Sequence, residues 1–305
     1  FPVGDPLRGY AGGAAEVPRA VVRRGPAAGA ALLAAEPEAL RALPIDHEVG
    51  VVDTRGGAVA ASRRFRHFLE AQLDRYGDER SHPDADCASG LSPYLHFGHL
   101  GAHQVFAGLA QREEWQPTRI RATANGQRGW LGFRDTTEAF LDELVTWREL
   151  GFNWCWQRDD YADYASLPEW ARKSLAEHAS DPREHVYSPA QFAAAATHDE
   201  VWNAAQRQLR ETGVLQNYLR MLWGKKVLEW SRTPQEAFTT LIELNNRYAL
   251  DGRNPNSYTG IAWVFGRYDR PWAPERDVYG VLRYMSSANT VKKLRMKGYL
   301  ERWGA

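Results

Sequence analysis

The chain has 305 residues, 44% of them hydrophobic and 25% charged, and its 38 basic and 38 acidic side chains balance to zero formal charge. Such a length and composition support one large domain or two smaller ones around a sizeable core, and exclude a disordered or fibrous chain. Two cysteines, Cys87 and Cys155, exclude a disulfide framework and a four-cysteine iron–sulfur centre.

Cysteine usage predicts a cytoplasmic, intracellular protein, and no apolar run reaches the roughly 18 residues that a membrane helix needs. The start, Phe1-Pro-Val-Gly, has no initiator Met and no basic-then-apolar signal pattern, so the chain is expected to be part of a longer one. Residues 1–45 are rich in Ala, Gly, Pro and Arg, and read as a linker or extension with at most one Ala-rich helix near Ala27–Leu43. Residues 46–305 are expected to form the body. Amphipathic runs cover about 58–76, 100–112, 135–151, 167–178, 199–211 and 213–230, and no alternating strand pattern appears, which predicts an all-α fold. No phosphate loop and no GxGxxG is present, so a nucleotide cofactor here would not use the Rossmann device.

In chain order, Ser89-Gly90-Leu91-Ser92-Pro93 precedes a helix. Its exposed N–H groups suit a phosphate, or serve as an ordinary N-cap. His96, His99 and His103 follow at i, i+3 and i+7. No cysteine completes a ligand set, and Asp84 and Asp86 lie in a loop, so surface and packing roles outweigh a metal and no metal site is expected. Glu143 and Trp147 stand four apart on a helix, sharing one patch. They make either a half-buried Trp beside a solvated acid, or a wall that stacks a flat ligand.

The stretch Asn217–Trp230 places Trp223 and Trp230 seven residues apart, about two turns and roughly 10 Å of rise, on nearly the same face. Arg220 sits one turn before the first indole. Two indoles on one face fill a core or pass an electron, and 12 tryptophans in the chain ask for a reason beyond packing. Thr233-Pro234-Gln235-Glu236 predicts a capping box opening a helix on Ala237, Phe238, Leu241, Leu244 and Tyr248. That helix closes on the amide- and charge-rich run Asn245–Asn256, where Gly252 and Pro255 break it, and Trp263 follows. Residues 281–305 carry six basic side chains against Glu301 alone, a solvated face or a phosphate-binding one.

Five stretches in a fixed order, SGLSPYLHFG (89–98), ELVTWRELGFN (143–153), NYLRMLWGKKVLEW (217–230), LNNRYALDGRNPN (244–256) and the region WVFGRYDRPWAPER to RYMS (263–286), resemble the FAD-binding helical domain of the photolyase/cryptochrome family. The likeness is nearest to the class II cyclobutane-pyrimidine-dimer photolyases and runs from about Phe68 to Trp303. It implies light-driven repair of damaged double-stranded DNA by a monomer carrying FAD. By this resemblance the flavin phosphates meet Tyr76 and the turn Ser89, Gly90, Leu91 and Ser92. Arg220 pairs with Asp251 beside the flavin ring, and Asn245, with Asn256 second, sits near its N5. Electrons run from Trp230, expected at solvent, through Trp202 to Trp223. Glu143 meets the flipped pyrimidines, Trp147 and Trp263 wedge them, and Met221 lies beneath. Arg283 enters the duplex bubble, and Lys292 and Lys293 hold phosphates.

The sequence departs from the family pattern at Asn254, where an Asp is usual, and along Ser286–Thr290. The family's N-terminal α/β antenna domain is expected to be absent from this chain. The rival readings are a cryptochrome-like flavin photoreceptor without repair, a DNA-binding helical module that has lost FAD, and a metal enzyme built on His96.

Overall fold

A computed structural model describes Ala20, Arg24, Gly25 and residues 28–121 and 129–304. It divides into two units, Phe1–Gly50 and Val51–Ala305. In the first, the expected single helix is two short ones, α1 (Ala30–Leu33) and α2 (Pro37–Arg41). Ala35 takes a left-handed φ of 54° between them, and Pro37 can open a helix but not continue one.

The second unit is helical, and the described residues contain no strand, only an isolated bridge between Arg276 and Gly280. Its helices are α3 (Ala58–His67), α4 (Leu73–Glu79), α5 (Ser92–His96), α6 (Ala102–Arg112), α7 (Asp135–Leu141) and α8 (Arg148–Gln157). They continue with α9 (Glu169–Glu177), α10 (Pro189–Ala193), α11 (Glu200–Thr212), α12 (Asn217–Trp230), α13 (Pro234–Tyr248), α14 (Pro255–Val264), α15 (Ser287–Lys293) and α16 (Lys297–Trp303).

Two of the expected continuous helices contain a wide turn with i→i+5 bonding. Phe68–Gln72 joins α3 to α4, and Asp142–Trp147 joins α7 to α8. Wide turns of this kind leave no mark in apolar spacing, and they concentrate where function needs a side chain re-aimed. The expected run 213–230 also starts later: Gly213, at φ 69°, closes α11 in the left-handed conformation that favours glycine, and α12 opens at Asn217.

Two apolar clusters form the interior. One gathers Phe68, Leu73, Leu91, Leu109, Phe140 and Leu141 beneath α3–α7. The other gathers Trp202, Leu219, Trp223, Val227, Phe238, Leu241 and Phe265 among α11–α14. In the second, α12 packs against α11, α13 and α14, and α14 in turn packs against α8. Gly224 permits that approach, since a Cβ there would come within 2.5 Å of Val264 Cγ2. The helix starts are fixed by side chains: Asp199 accepts from Trp202 N–H, Gln216 from Leu219 N–H, and Thr233 from Glu236 N–H, the predicted cap of α13. The first of these fixes where Trp202 enters the core.

Candidate active site

The tryptophans of α11 and α12 meet inside the second cluster. Trp202 and Trp223 lie parallel, 6° apart in plane with ring centroids 6.4 Å apart, and Trp230 stands edge-on to Trp202 at 6.2 Å. Trp202 therefore bridges the two indoles of α12. Each inner ring has its N–H satisfied: Trp202 Nε1 donates to Trp223 O at 3.0 Å, and Trp223 Nε1 donates to Gln206 Oε1 at 2.9 Å. Gln206 is fully buried, and nothing in its sequence context marked it beyond standing one turn after Trp202 on α11. The expectation that Trp230 faces solvent is corrected. It is 3% exposed, covered by Tyr187 and His198 and by the Lys226 ammonium 5.3 Å from its ring centroid. Tyr187 and His198 come from outside α12, so helical position alone could not reveal the cover.

Next to this core the 245–256 run folds back on the 89–92 turn. Asp251 ion-pairs with Arg220 at 3.9 Å and accepts a hydrogen bond from Ser92 Oγ. Asn254 caps α14 by accepting from Asn256 N–H at 3.1 Å, and it also holds the Asn256 side chain at 3.0 Å. An aspartate could accept the same two bonds, but could not make the 3.1 Å donation from Asn254 Nδ2 to His96 Nδ1. Asn245, in the last turns of α13, is 2% exposed and its Nδ2 has no hydrogen-bond partner. Such an orphaned amide costs about 1–3 kcal/mol, which a bound group offering an acceptor would recover.

In the 89–92 turn, Arg64 grips the carbonyls of Ala88 (2.6 Å) and Ser89 (2.7 Å), Gly90 takes φ 64°, and Leu91 is buried in the first cluster. Tyr76 is a core residue, edge-on to Phe68 and Phe140. Burial pushes its phenol up to about 12, with the Glu143 charge adding to the shift. His99 accepts from Gly57 N–H at 3.1 Å, so two of the three histidines have packing partners, and the described residues contain no cluster able to hold a metal.

In the wide turn of α7–α8 the two residues expected on one patch take different partners. Trp147 Nε1 donates to Asp142 Oδ2, five residues back, at 3.1 Å, while Glu143 turns to Arg80 at 3.1 Å. Arg80 is itself fixed by its bond to Ala139 O at 3.1 Å and by Gln216, which donates to Arg80 O at 2.7 Å. Trp147 and Trp263 meet at 4.4 Å, and Tyr268 closes a three-ring group at about 6 Å from both. Arg80 and Tyr268 are defined by contacts across elements, and Asp142 by a bond that spans five residues instead of four, so none is visible in helical spacing. Met221 is half-buried against the second cluster. Arg283 is exposed and stacks over Trp272 at 5.0 Å, Lys292 is exposed, and Lys293 lies over the Tyr218 ring at 4.8 Å.

No protein-family model matches the chain. Among solved structures, a cryptochrome from Synechocystis sp. PCC6803 superposes with a TM-score of 0.59 at 17% identity, covering 88% of this chain and 49% of that one. A class III photolyase from Agrobacterium tumefaciens gives a TM-score of 0.56 at 18% identity, covering 81% and 44%. These two likenesses establish the fold. In sequence, the deoxyribodipyrimidine photo-lyase of Methanothermobacter thermautotrophicus is 39% identical over 248 residues, 81% of this chain and 51% of that protein. The chain belongs to the photolyase/cryptochrome family. A photolyase of Oryza sativa subsp. japonica is 38% identical over 235 residues, 76% of this chain and 43% of its own length. The chain thus spans about half the length of the curated photolyases it matches, and its described helices form the family's helical domain.

Proposed function

We propose that this chain is the catalytic helical domain of a light-driven DNA repair enzyme that splits cyclobutane pyrimidine dimers in duplex DNA, with FAD as its cofactor. The observation that carries the reading is the convergence of Arg220, Asp251 and Ser92 beside the last turns of α13, where Asn245 buries an amide with no partner. That set fits a flavin: a cation for an anionic ring, an anchored carboxylate, and a donor awaiting an acceptor. Reduced FAD, when bound, supplies an excited-state electron to the dimer and takes it back after the ring opens, so repair has no net redox change.

The chain's own residues bind, orient and exclude water. The 89–92 turn and Asn256 would hold the cofactor with Arg220 and Asp251. Trp147 and Trp263, with Tyr268 beside them, offer apolar walls that recover part of the cost of unstacking a lesion whose pairing is already weak. Glu143 accepts hydrogen bonds from the pyrimidine edge, and Arg80 holds that carboxylate in place. Trp230, Trp202 and Trp223 form the route by which an electron reaches the cofactor from outside. Arg283, Lys292 and Lys293 contact DNA and give binding a steep salt dependence. The protein acts as a monomer inside the cell.

The cryptochrome-like alternative, a photoreceptor without repair, needs the tryptophans but not the aromatic walls or the Arg80–Glu143 pair. The experiment is to load the purified protein with FAD, record its spectrum, illuminate it with a reductant, and add dimer-containing duplex DNA. Loss of dimers under light supports the proposal. A protein that photoreduces and leaves dimers intact is a photoreceptor, and one that refuses FAD overturns both flavin readings.

A further inference from the structure

In the turn after α14, Tyr268 takes φ 61°, the left-handed region that bulky side chains avoid. It is the one aromatic residue among the described residues to do so. The turn is fixed on both sides of it. Gly266 N–H donates to Trp263 O at 3.0 Å, Arg267 N–H to Ala262 O at 3.1 Å, and Asp269 N–H to Gly266 O at 3.0 Å. Gly266, itself at φ 97°, lies so close to Trp170 that a Cβ there would come within 2.7 Å of its Cη2. Arg267 donates from Nη2 to Ser166 O and stacks over the Trp154 ring at 4.5 Å. Neighbours held this firmly keep Tyr268 in its strained conformation, the condition under which such strain persists, and strain of this kind gathers at functional sites.

What the strain secures is the position of a ring. Tyr268 is 38% exposed, and it stands edge-on to Trp147 at 6.1 Å and to Trp263 at 6.0 Å, with interplanar angles of 61° and 73°. The three rings come from the wide turn of α7–α8, from α14 and from the loop behind it, so no single element could assemble them. The one polar hydrogen of the Trp147 ring is taken by Asp142, and the ionised carboxylate of Glu143, paired with Arg80, can only accept. The Tyr268 hydroxyl has no hydrogen-bond partner among the described residues. Burial, against the opposing pull of the Arg267 charge, raises its phenol above the ordinary range, so it stays a donor at neutral pH. A partly exposed phenol beside two indoles offers an apolar edge to a flat ring and a hydrogen bond to an oxygen on that ring.

We propose that Tyr268 is a specificity-determining residue of the lesion pocket. Its ring packs on the flipped pyrimidine pair, and its hydroxyl donates to a pyrimidine carbonyl oxygen, complementing Glu143, which accepts from a ring N–H. This deepens the repair reading and rests on it. The left-handed backbone sets a phenol at a corner where glycine or asparagine would sit without strain. Undamaged duplex keeps its bases stacked and paired, so the contact forms only with extruded bases and adds to affinity for damaged DNA alone.

Filter binding in the dark, with the purified chain, added FAD and duplexes that differ only in a cyclobutane dimer, reads the contact without any turnover. Tyr268→Phe should lower affinity for the dimer duplex about fivefold, the size of one hydrogen bond, and leave affinity for undamaged duplex unchanged. Tyr268→Ala and Tyr268→Asn, which lose the ring as well, should lower it about tenfold or more. Thermal unfolding separates contact from fold. Asparagine tolerates the left-handed conformation better than alanine, so Tyr268→Asn should melt above Tyr268→Ala while the two bind the dimer duplex equally weakly. Lesion affinity that follows Tm across the three variants overturns the proposal, because it makes Tyr268 a packing residue. Equal losses on damaged and undamaged duplex also overturn it, because they put the hydroxyl on a phosphate. A wild-type preference for the dimer duplex that Tyr268→Phe leaves intact overturns it while the repair reading stands. A wild type that binds both duplexes alike overturns the repair reading and this contact together.

Discussion

Replacing Gln206 with leucine tests whether the Trp223 indole is held by the bond described above. Gln206 is fully buried and makes two contacts, accepting from Trp223 Nε1 at 2.9 Å and donating to Ala193 O at 3.5 Å. The second is at the limit of hydrogen-bond length and contributes little. Leucine fills a similar volume but leaves the indole N–H unsatisfied in a dry core, a cost of about 1–3 kcal/mol. Burying the extra apolar atoms of leucine returns roughly 1 kcal/mol of this. The net loss is about 1–2 kcal/mol, which lowers Tm by roughly 2–8 °C for a domain of this size. The assay is thermal unfolding followed by circular dichroism, in a double-mutant cycle with Trp223→Phe. In the phenylalanine background no indole N–H remains to be stranded, so Gln206→Leu should then cost little. A full cost persisting in that background would refute the bond as the source of the effect.

Trp202→Phe should abolish photoreduction from added donor while leaving dimer repair by chemically reduced protein close to wild type; unchanged photoreduction would remove Trp202 from the electron route. Arg80→Met removes both the partly exposed pair with Glu143 and the bond to Ala139 O, so its stability cost should be about 1–3 kcal/mol. Affinity for dimer-containing duplex, read by filter binding, should fall severalfold as Glu143 loses its support, and an unchanged affinity would separate Arg80 from lesion binding. His178 is held above its ordinary range by hydrogen bonds first to Glu275 and then to Asp181. The raised folded value means this stabilisation is complete below the unfolded pKa of about 6.5 and is lost as pH rises through the folded pKa. Wild type should therefore lose Tm relative to His178→Gln as pH rises above about 6.5, and parallel Tm profiles across that range would contradict the assignment.

Much of the helical order was legible because helices advertise themselves locally. Thr233 before Pro234, and apolar residues at Phe238, Leu241 and Leu244, place α13 without reference to the rest of the chain. The same local logic put Trp223 and Trp230 on one face of α12. It failed where the deciding contact comes from elsewhere. Trp230 looked like a helix-end ring bound for solvent, and is buried because Tyr187 and His198 fold over it. Glu143 and Trp147 stand four residues apart in a wide turn, where Trp147 reaches back five residues to Asp142 and Glu143 pairs with Arg80 from α4's end, and neither partner follows from apolar spacing. The Ala-rich stretch before Leu43 overstated its helix because the reading weighed composition above the breaks at Ala35 and Pro37. Within the candidate site, the pairing of Arg220 with Asp251 followed from resemblance and is present in the geometry, whereas Gln206 and Tyr268 could be found only by asking what each buried ring touches.

The wide turn at Asp142–Trp147 also makes the α7–α8 rod a helix with one residue to spare. Ordinary α-helical winding advances about 100° per residue, so one surplus residue resets the phase between the two ends of the rod. Its first half can therefore face α4 while its second half faces α14, an alignment that an uninterrupted helix of the same sequence would lose. A single-residue deletion at Val145 would let the turn close to ordinary α winding and leave Arg148–Gln157 near its seat, whereas deleting a second residue would swing it by about 100°. The rod has one amino acid of slack, and deletions in it should be judged by phase rather than by length.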